Sequence, residues 1–515
     1  MKFPGQGRIM IAFVAGAGTT LSFAPTGWWW LQFVTLGALV HLWRDANPRG
    51  SLACGFAFGL GWFGTGISWV YVSMHDYGAM PVPLAGAATL LFVAYLALFP
   101  AVTGYAQARL RPAGGRPAWL PARLLVCLTL PALWCLAEWL RGWLFTGFPW
   151  LALGYAHTDG PLAGYAQWVG VRGLDFLAVL GAAQCAALAA AVSRRAGAAR
   201  IALPAAAVAL LTVVGLGAGR IAWTQASAIP VSIALLQGNI PQDMKFEPGR
   251  FESTLLLYRQ LIEANPAALV VLPETALPRM LQQVPADYLA GLDALAKSRG
   301  ANLIVGSPFA EARGRYFNSA VSLGSSPPQR YDKAHLVPFG EFIPFGFRWF
   351  TDLMQMPLGD FTRGADAPVP LRLGAEKVAV NICYEDLFGE EIIRQLPEAT
   401  LLVNISNIAW FGDSLAPHQH LQISRMRALE TGRTMLRATN TGATAVIDAR
   451  GRVQHLLPPF GEGALVASVR GHAGATPYVR TGNWPVITSC AALIAAALAL
   501  AALRARRAAP ESGPA

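Results

Sequence analysis

Three side chains able to do acid–base and nucleophilic chemistry stand where apolar runs stop. Glu274 closes "VVLPET", Lys333 sits inside "RYDKAHLVPFGEFIP", and Cys383 closes "VAVNICYED". A carboxylate can take a thiol proton, an ammonium lowers the thiol's pKa and offers charge to a developing oxyanion, and a thiolate attacks a carbonyl. Backbone N–H groups just after Cys383 would complete such an oxyanion site. Taken singly, each has a dull reading: a structural cysteine, a solvated glutamate, a surface lysine. Their placement carries the argument, because Glu274 and Cys383 directly follow runs that read as buried strands, and α/β sheets display their chemistry at the carboxyl ends of strands.

Other patterns carry less. "GLGWFG" (Gly59–Gly64) has the spacing of a dinucleotide fingerprint but lies inside an apolar span with no preceding strand, so Gly55 and Gly59 read as a site of close helix packing. His418 and His420 in "HQH" lack an HExxH context or a neighbouring cysteine ligand, and read as structural. No metal and no organic cofactor is expected, and no GxSxG or P-loop pattern is present. Cys54, Cys127, Cys135, Cys185 and Cys490 lie in or beside apolar spans, where a small buried hydrophobe is the plain reading. Cys383 has no cysteine partner in its own region and is either inert or reactive.

The rest of the chain must position these groups. The 515 residues are 54% hydrophobic and only 13% charged, with mean hydropathy +0.41, which points to a membrane protein. Apolar stretches near the ~20 residues a bilayer requires cover about Arg8–Pro25, Trp28–Trp43, Ser51–Met74, Pro83–Ala108, Leu124–Leu140, Leu174–Val192, Ile201–Gly217 and Pro485–Leu503. The start of the first reads as a retained helix rather than a cleaved signal. The net charge of +11 sits in alternate short loops, with Arg141 the exception, so it reads as topology and not as a nucleic-acid surface. Both termini are then cytoplasmic and the long insert lies outside, in the periplasm of a two-membrane bacterium.

From about Pro230 the composition changes. Strands are expected at Val231–Gly238, Leu269–Pro273, Asn302–Ser307, Val378–Ile382, Thr400–Ser406, Ala443–Asp448 and Ala464–Val469. Helical patterns fill Arg250–Asn265, Ala286–Arg299 and His418–Thr431. This alternation implies an α/β domain whose near-continuous apolar strands are buried on both faces.

The order Glu, Lys, Cys within "LPE", "YDKAHLVPFGE" and "CYE" resembles the nitrilase superfamily. With spans before and after the insert, and with "LLQGNIPQ", "NISNIAWFGDSLAPHQHLQISRMRALETGR" and "RATNTGATAVIDARG", the chain more narrowly resembles the bacterial apolipoprotein N-acyltransferase family. The resemblance implies a polytopic α-helical membrane domain of about eight transmembrane helices plus a four-layer α-β-β-α sandwich. The expected boundaries are 1–220 for about seven spans, 228–475 for the periplasmic catalytic domain, 485–503 for the last span and 504–515 for a cytoplasmic tail.

By that resemblance Glu274 is the general base, Lys333 the oxyanion-stabilising cation and Cys383 the acylated nucleophile. Glu341 and Glu385 match acidic positions that support the site, and Tyr384, Trp410 and Phe411 match residues around a lipid-facing pocket. Phe246 stands where a tryptophan is expected, so no hydrogen-bonding role passes to it. The implied reaction moves an acyl chain from a phospholipid, commonly phosphatidylethanolamine, through a Cys383 thioester to the α-amino group of an S-diacylglyceryl-cysteine at a lipoprotein N-terminus. The protein would act as a monomer in the inner membrane, and Trp349–Phe361 is the expected mobile loop. A membrane-tethered amidase or hydrolase is the nearest alternative. A transporter is less well supported, because Glu138, Arg172 and Asp175 lie near span ends rather than along an ion path.

Overall fold

The computed structural model describes residues 5–111, 120–242, 245, 247–344, 346 and 361–508. The chain divides into two compact units, one of residues 1–68, 87–221 and 483–515, the other of 69–86 and 222–482.

The first unit is helical. Helices occupy every apolar stretch of the sequence: Gly5–Thr19, Leu31–Arg44, Pro48–Gly66, Val82–Leu110, Leu120–Arg141, Ala166–Ser193, Ala198–Ala218 and Trp484–Ala508. Among the described residues four helices are long and apolar enough to cross a membrane, counting Ala166–Ser193 with the short turn before it, and Pro48–Gly66 with Trp69–Tyr77 forms a broken fifth candidate. Gly5–Thr19 has 15 residues and Leu31–Arg44 has 14, lengths of roughly 22 Å at 1.5 Å per residue. A Cβ on Gly55 would stand 2.4 Å from the Pro100 carbonyl oxygen, and one on Gly59 2.5 Å from Ala97 Cα. These two glycines therefore let two helix backbones touch, as their spacing suggests. Arg141, which broke the charge alternation, is buried and pairs with Glu138; Arg172 pairs with Asp175 at 3.0 Å and approaches Glu138 at 3.7 Å. Two cations and two carboxylates thus neutralise one another rather than lining a path.

The second unit is built on strands β1 (Thr224–Ala226), β2 (Val231–Gln237), β3 (Leu269–Val271), β4 (Asn302–Glu311), β5 (Arg315–Gly324), β6 (Arg330–Asp332), β7 (Leu371–Leu373), β8 (Glu376–Ile382), β9 (Leu401–Ser406), β10 (Thr434–Thr439), β11 (Ala445–Ile447), β12 (Val453–Leu456), β13 (Gly463–Val469) and β14 (His472–Gly474). They form two six-stranded sheets, ordered β13-β2-β3-β4-β5-β6 and β12-β11-β10-β9-β8-β7. The central strands β2, β3 and β4 are parallel, as are β8, β9 and β10. β1 pairs antiparallel with β14, clipping together the two ends of the insert.

Alternation along the strands assigns the faces. Ile233, Leu235 and Val271 of one sheet share a buried cluster with Val378, Val380, Leu401, Val403 and Leu436 of the other, which makes the face between the sheets. The opposite residues of the first sheet, Ala234, Leu236 and Val270, pack with Leu255, Tyr258 and Ile262 of helix Phe251–Ala264. Those of the second, Ala379, Leu402 and Met435, pack with Ile392, Ala428 and Val479. β5 and β10 have no counterpart among the expected strands. Both carry buried polar residues, Asn318, Ser319 and Ser322 on β5 and Arg437 on β10, that interrupt the apolar run by which a strand is recognised.

Candidate active site

Glu274, Lys333 and Cys383 each lie just past the end of a strand, β3, β6 and β8 respectively. The first two follow strands of one sheet and the third a strand of the other. Glu274 comes out of a tight approach: a Cβ on Gly306 of β4 would lie 2.3 Å from the Pro273 carbonyl oxygen and 2.8 Å from Glu274 Cα, so only glycine fits there. Lys333, 1% exposed, places Nζ 2.9 Å from Glu341 Oε1 and 3.4 Å from Glu274 Oε1. Burial by itself would drive this lysine toward neutrality. The carboxylates of Glu341 and Glu274, with Cys383, reverse that and hold the ammonium charged, well above the ordinary lysine value.

The two carboxylates are set apart by hydrogen bonds. Asn318 of β5 donates through Nδ2 to both Glu274 Oε1 and Glu341 Oε1, each at 2.7 Å. The other Glu274 oxygen accepts the backbone N–H of Asn407 at 2.8 Å, and the other Glu341 oxygen accepts that of Val337 at 2.8 Å. Lys245, also buried, donates to the Glu274 carbonyl oxygen at 3.3 Å, and burial lowers it to about 8 against the pull of Glu274.

Cys383 has φ +52°, a left-handed conformation that costs a non-glycine residue about 1–3 kcal/mol. Its side chain keeps a partial opening to solvent, yet its surroundings are dense. Burial, followed by the Glu274 charge, pushes the thiol up to about 12, while Lys333 and the Ser406 hydroxyl act to stabilise the thiolate. The resting sulfur is therefore a protonated thiol beside a base and a cation. Alkylation by iodoacetamide is accordingly expected to accelerate about tenfold per pH unit from about pH 7 to about pH 10. Intact mass against time reads this rate, and a plateau near about pH 8 would contradict a thiol protonated at rest.

Glu385 bridges the segment after Lys333 and the end of β8. Its carboxylate accepts the backbone N–H of Ala334 at 2.6 Å and of His335 at 3.0 Å, next to Lys333, and of Ile382 at 2.6 Å, next to Cys383. Tyr331 adds its hydroxyl at 2.8 Å. Burial raises Glu385 to about 7, against these donors and Lys333.

The residues expected around a lipid pocket are distributed differently. The Tyr384 ring, 7% exposed, packs against His335 and Phe388, with centroids 5.8 Å and 5.3 Å away. Phe411 meets Trp69 edge-on at 4.7 Å, and Trp410, 40% exposed, lies 6.5 Å from Tyr77. Phe246 and residues 349–360 of the expected mobile loop lie outside the described residues. Asn318 and Lys245 escaped the sequence reading, for a single polar residue gives no signal of its own. Asn404, Asn407, His420 and Arg437 lay within stretches already quoted, but nothing in their spacing assigned them a contact.

Two family models match the chain: one described as Apolipoprotein N-acyltransferase N-terminal domain over residues 15–184, the other as Carbon-nitrogen hydrolase over residues 232–478. A protein described as apolipoprotein N-acyltransferase from Ralstonia nicotianae is 49% identical over 497 residues, covering 95% of this chain and 92% of its own length. One from Nitrosomonas europaea is 48% identical, covering 98% of this chain and 99% of its own. A third, from Methylococcus capsulatus, is 45% identical over 94% and 95%. Likeness at this level, running from the first helices through both sheets to the last helix, places the chain in the apolipoprotein N-acyltransferase family.

Proposed function

We propose that the protein transfers an acyl chain from a phospholipid to the α-amino group of an N-terminal S-diacylglyceryl-cysteine of lipoproteins, in two half-reactions through a Cys383 thioester. In the first, Glu274 takes the thiol proton and the sulfur attacks the sn-1 ester carbonyl. The oxyanion that forms faces the Lys333 ammonium and the backbone N–H that follows Cys383. Collapse expels the lysophospholipid alkoxide, which leaves with the proton from Glu274. In the second, the acceptor amine attacks the thioester, Glu274 takes its proton, and the thiol is regenerated. Phosphatidylethanolamine is the proposed donor. The observation that carries this reading is a buried carboxyl group, a buried cation and a partly exposed thiol, each just past a strand end, in a chain of this family.

Glu341 serves as the counter-charge that keeps Lys333 protonated, and Glu385 as the strut between the lysine loop and the cysteine turn. Aromatic side chains at Tyr384, Trp410 and Phe411 are proposed to border the acyl path. Helices on the outer faces of both sheets support a four-layer α-β-β-α sandwich for 228–475. Helices at all eight apolar stretches support seven spans before it and one after. With basic residues in alternate loops, this favours an inner-membrane protein with cytoplasmic termini and a periplasmic site; a monomer is the proposed working state.

Incubating the detergent-purified protein with phosphatidylethanolamine and no acceptor is expected to add one acyl chain to the intact mass, removable by hydroxylamine and mapped to Cys383. Release of lysophospholipid without any adduct would point instead to a thioester resolved by water, and absence of both would refute the acyl-transfer reading.

A further inference from the structure

The peptide between Cys383 and Tyr384 is gripped from behind by side chains that the proposed chemistry does not use. The Cys383 carbonyl oxygen lies 3.1 Å from His420 Nε2 and accepts the Asn404 side-chain amide at 3.3 Å. On the other side of the imidazole, the Arg437 guanidinium lies 3.0 Å from Nδ1. A guanidinium only donates, so Nδ1 must accept and Nε2 must carry the hydrogen it gives to the carbonyl. Arg437 is fixed in turn: it donates to Asn404 Oδ1 at 2.9 Å, to Ser424 Oγ at 2.9 Å and to Asp386 Oδ2 at 3.3 Å. Ser424 also donates to Asp386. His420, Asn404, Arg437 and Asp386 are each no more than 1% exposed. Within this group the Asp386 carboxylate answers the Arg437 charge, while burial and Arg437 press His420 into its neutral form.

The geometry of a peptide unit turns this grip into an aim. The unit is planar and trans, so its C=O and N–H point in opposite directions. Pinning the Cys383 oxygen toward helix Leu415–Thr431 and β9 turns the Tyr384 N–H away from them. Hydrogen bonds to the carbonyl also polarise the amide and strengthen its N–H as a donor. The left-handed φ of Cys383 makes the demand sharper, since an unheld backbone would relax toward the common regions and carry the N–H with it.

We propose that His420, oriented by Arg437 and Asp386, is a positioning residue that fixes the plane of the Cys383–Tyr384 peptide and so aims its N–H at the oxyanion opposite Lys333. The inference rests on the reading that Cys383 forms an acyl thioester. It gives the second histidine of "HQH" a task through the nucleophile's backbone, with no contact to metal or substrate.

The test compares the full-length protein in detergent with His420→Leu, which loses the donor, and His420→Gln, which can place an amide N–H near the Nε2 position. Two rates are read by intact mass: acylation of Cys383 by phosphatidylethanolamine without acceptor, and alkylation by iodoacetamide, a displacement that forms no oxyanion. His420→Leu is expected to acylate about 100-fold more slowly, the scale of one lost oxyanion donor, with alkylation within about threefold of wild type and with substantial recovery of acylation in His420→Gln. Wild-type acylation retained in His420→Leu would overturn the proposal. So would equal losses of acylation and alkylation, which would mean that the network only supports the fold. A wild-type protein that gives neither adduct nor lysophospholipid would refute the thioester reading itself. Should His420→Leu fail to fold, Asn404→Ser removes the other donor to the same carbonyl: slower acylation with unchanged alkylation supports the proposal, and no change in either rate overturns it.

Discussion

Cys383→Ala is expected to lower acyl transfer by a factor of ~10⁴ or more, the scale on which loss of a covalent nucleophile is felt, while the protein melts within a few degrees of wild type, roughly the effect of 1 kcal/mol or less. The two halves of this prediction have separate causes. In the proposed mechanism the Cys383 sulfur accepts the acyl group, and no other thiol lies in the strand-built unit. Structurally the change is small, because it removes one partly exposed sulfur from the edge of the cluster between the sheets. The carbonyl of residue 383 remains held by His420 and Asn404, and alanine tolerates the positive φ no worse than cysteine does. Transfer from a fluorescent phospholipid to a diacylglyceryl peptide, measured beside a thermal melt, decides it. Activity in the variant above about 1% of wild type would remove Cys383 from the mechanism.

Lys333→Met is expected to damage both activity and stability. Lys333 is the ammonium shared by Glu274 and Glu341. Without it, two buried carboxylates converge on the Asn318 amide with no cation between them, a loss of about 3–5 kcal/mol by analogy with other broken buried pairs. Lys245 does not replace it, since its ammonium donates to the Glu274 carbonyl rather than to either carboxylate. Transfer should fall ~10³-fold or more, because the oxyanion loses a charged donor and the thiolate loses its stabilising neighbour. Lysine-to-arginine exchange is expected to restore little, as the planar fork needs more room than a 1%-exposed site provides. A Lys333→Met protein that melts like wild type and keeps a tenth of its rate would show that the paired carboxylates do not depend on this cation.

The site's polar ends were legible where apolar strands stop abruptly, which is why Glu274 and Cys383 stand out in the sequence. Lys333 follows only the three-residue β6 and was marked mainly by its surrounding motif. The network behind Cys383 was not legible in the same way. Arg437 occupies the middle of β10, where a charge argues against a buried strand, and its compensation comes from Asp386, Asn404, Ser424 and His420, up to 51 residues away in sequence. Likewise Asn318 gives β5 a polar interruption whose partners, Glu274 and Glu341, lie 44 and 23 residues off. Strand and helix patterns are local properties, whereas the satisfaction of a buried polar group is settled only by the tertiary fold. The start of the expected strand at Ala443 shows the same limit on a smaller scale: Ala443 has φ +60°, and the strand β11 begins two residues later.

The division of the site between two sheets gives the order of folding a chemical meaning. A chain with only the first sheet formed holds a carboxylate and an ammonium but no thiol; one with only the second holds a thiol with neither base nor cation. On the proposed mechanism neither half carries the full set of groups, so competence requires both sheets in place. On that mechanism, ester cleavage itself reports that the domain is complete.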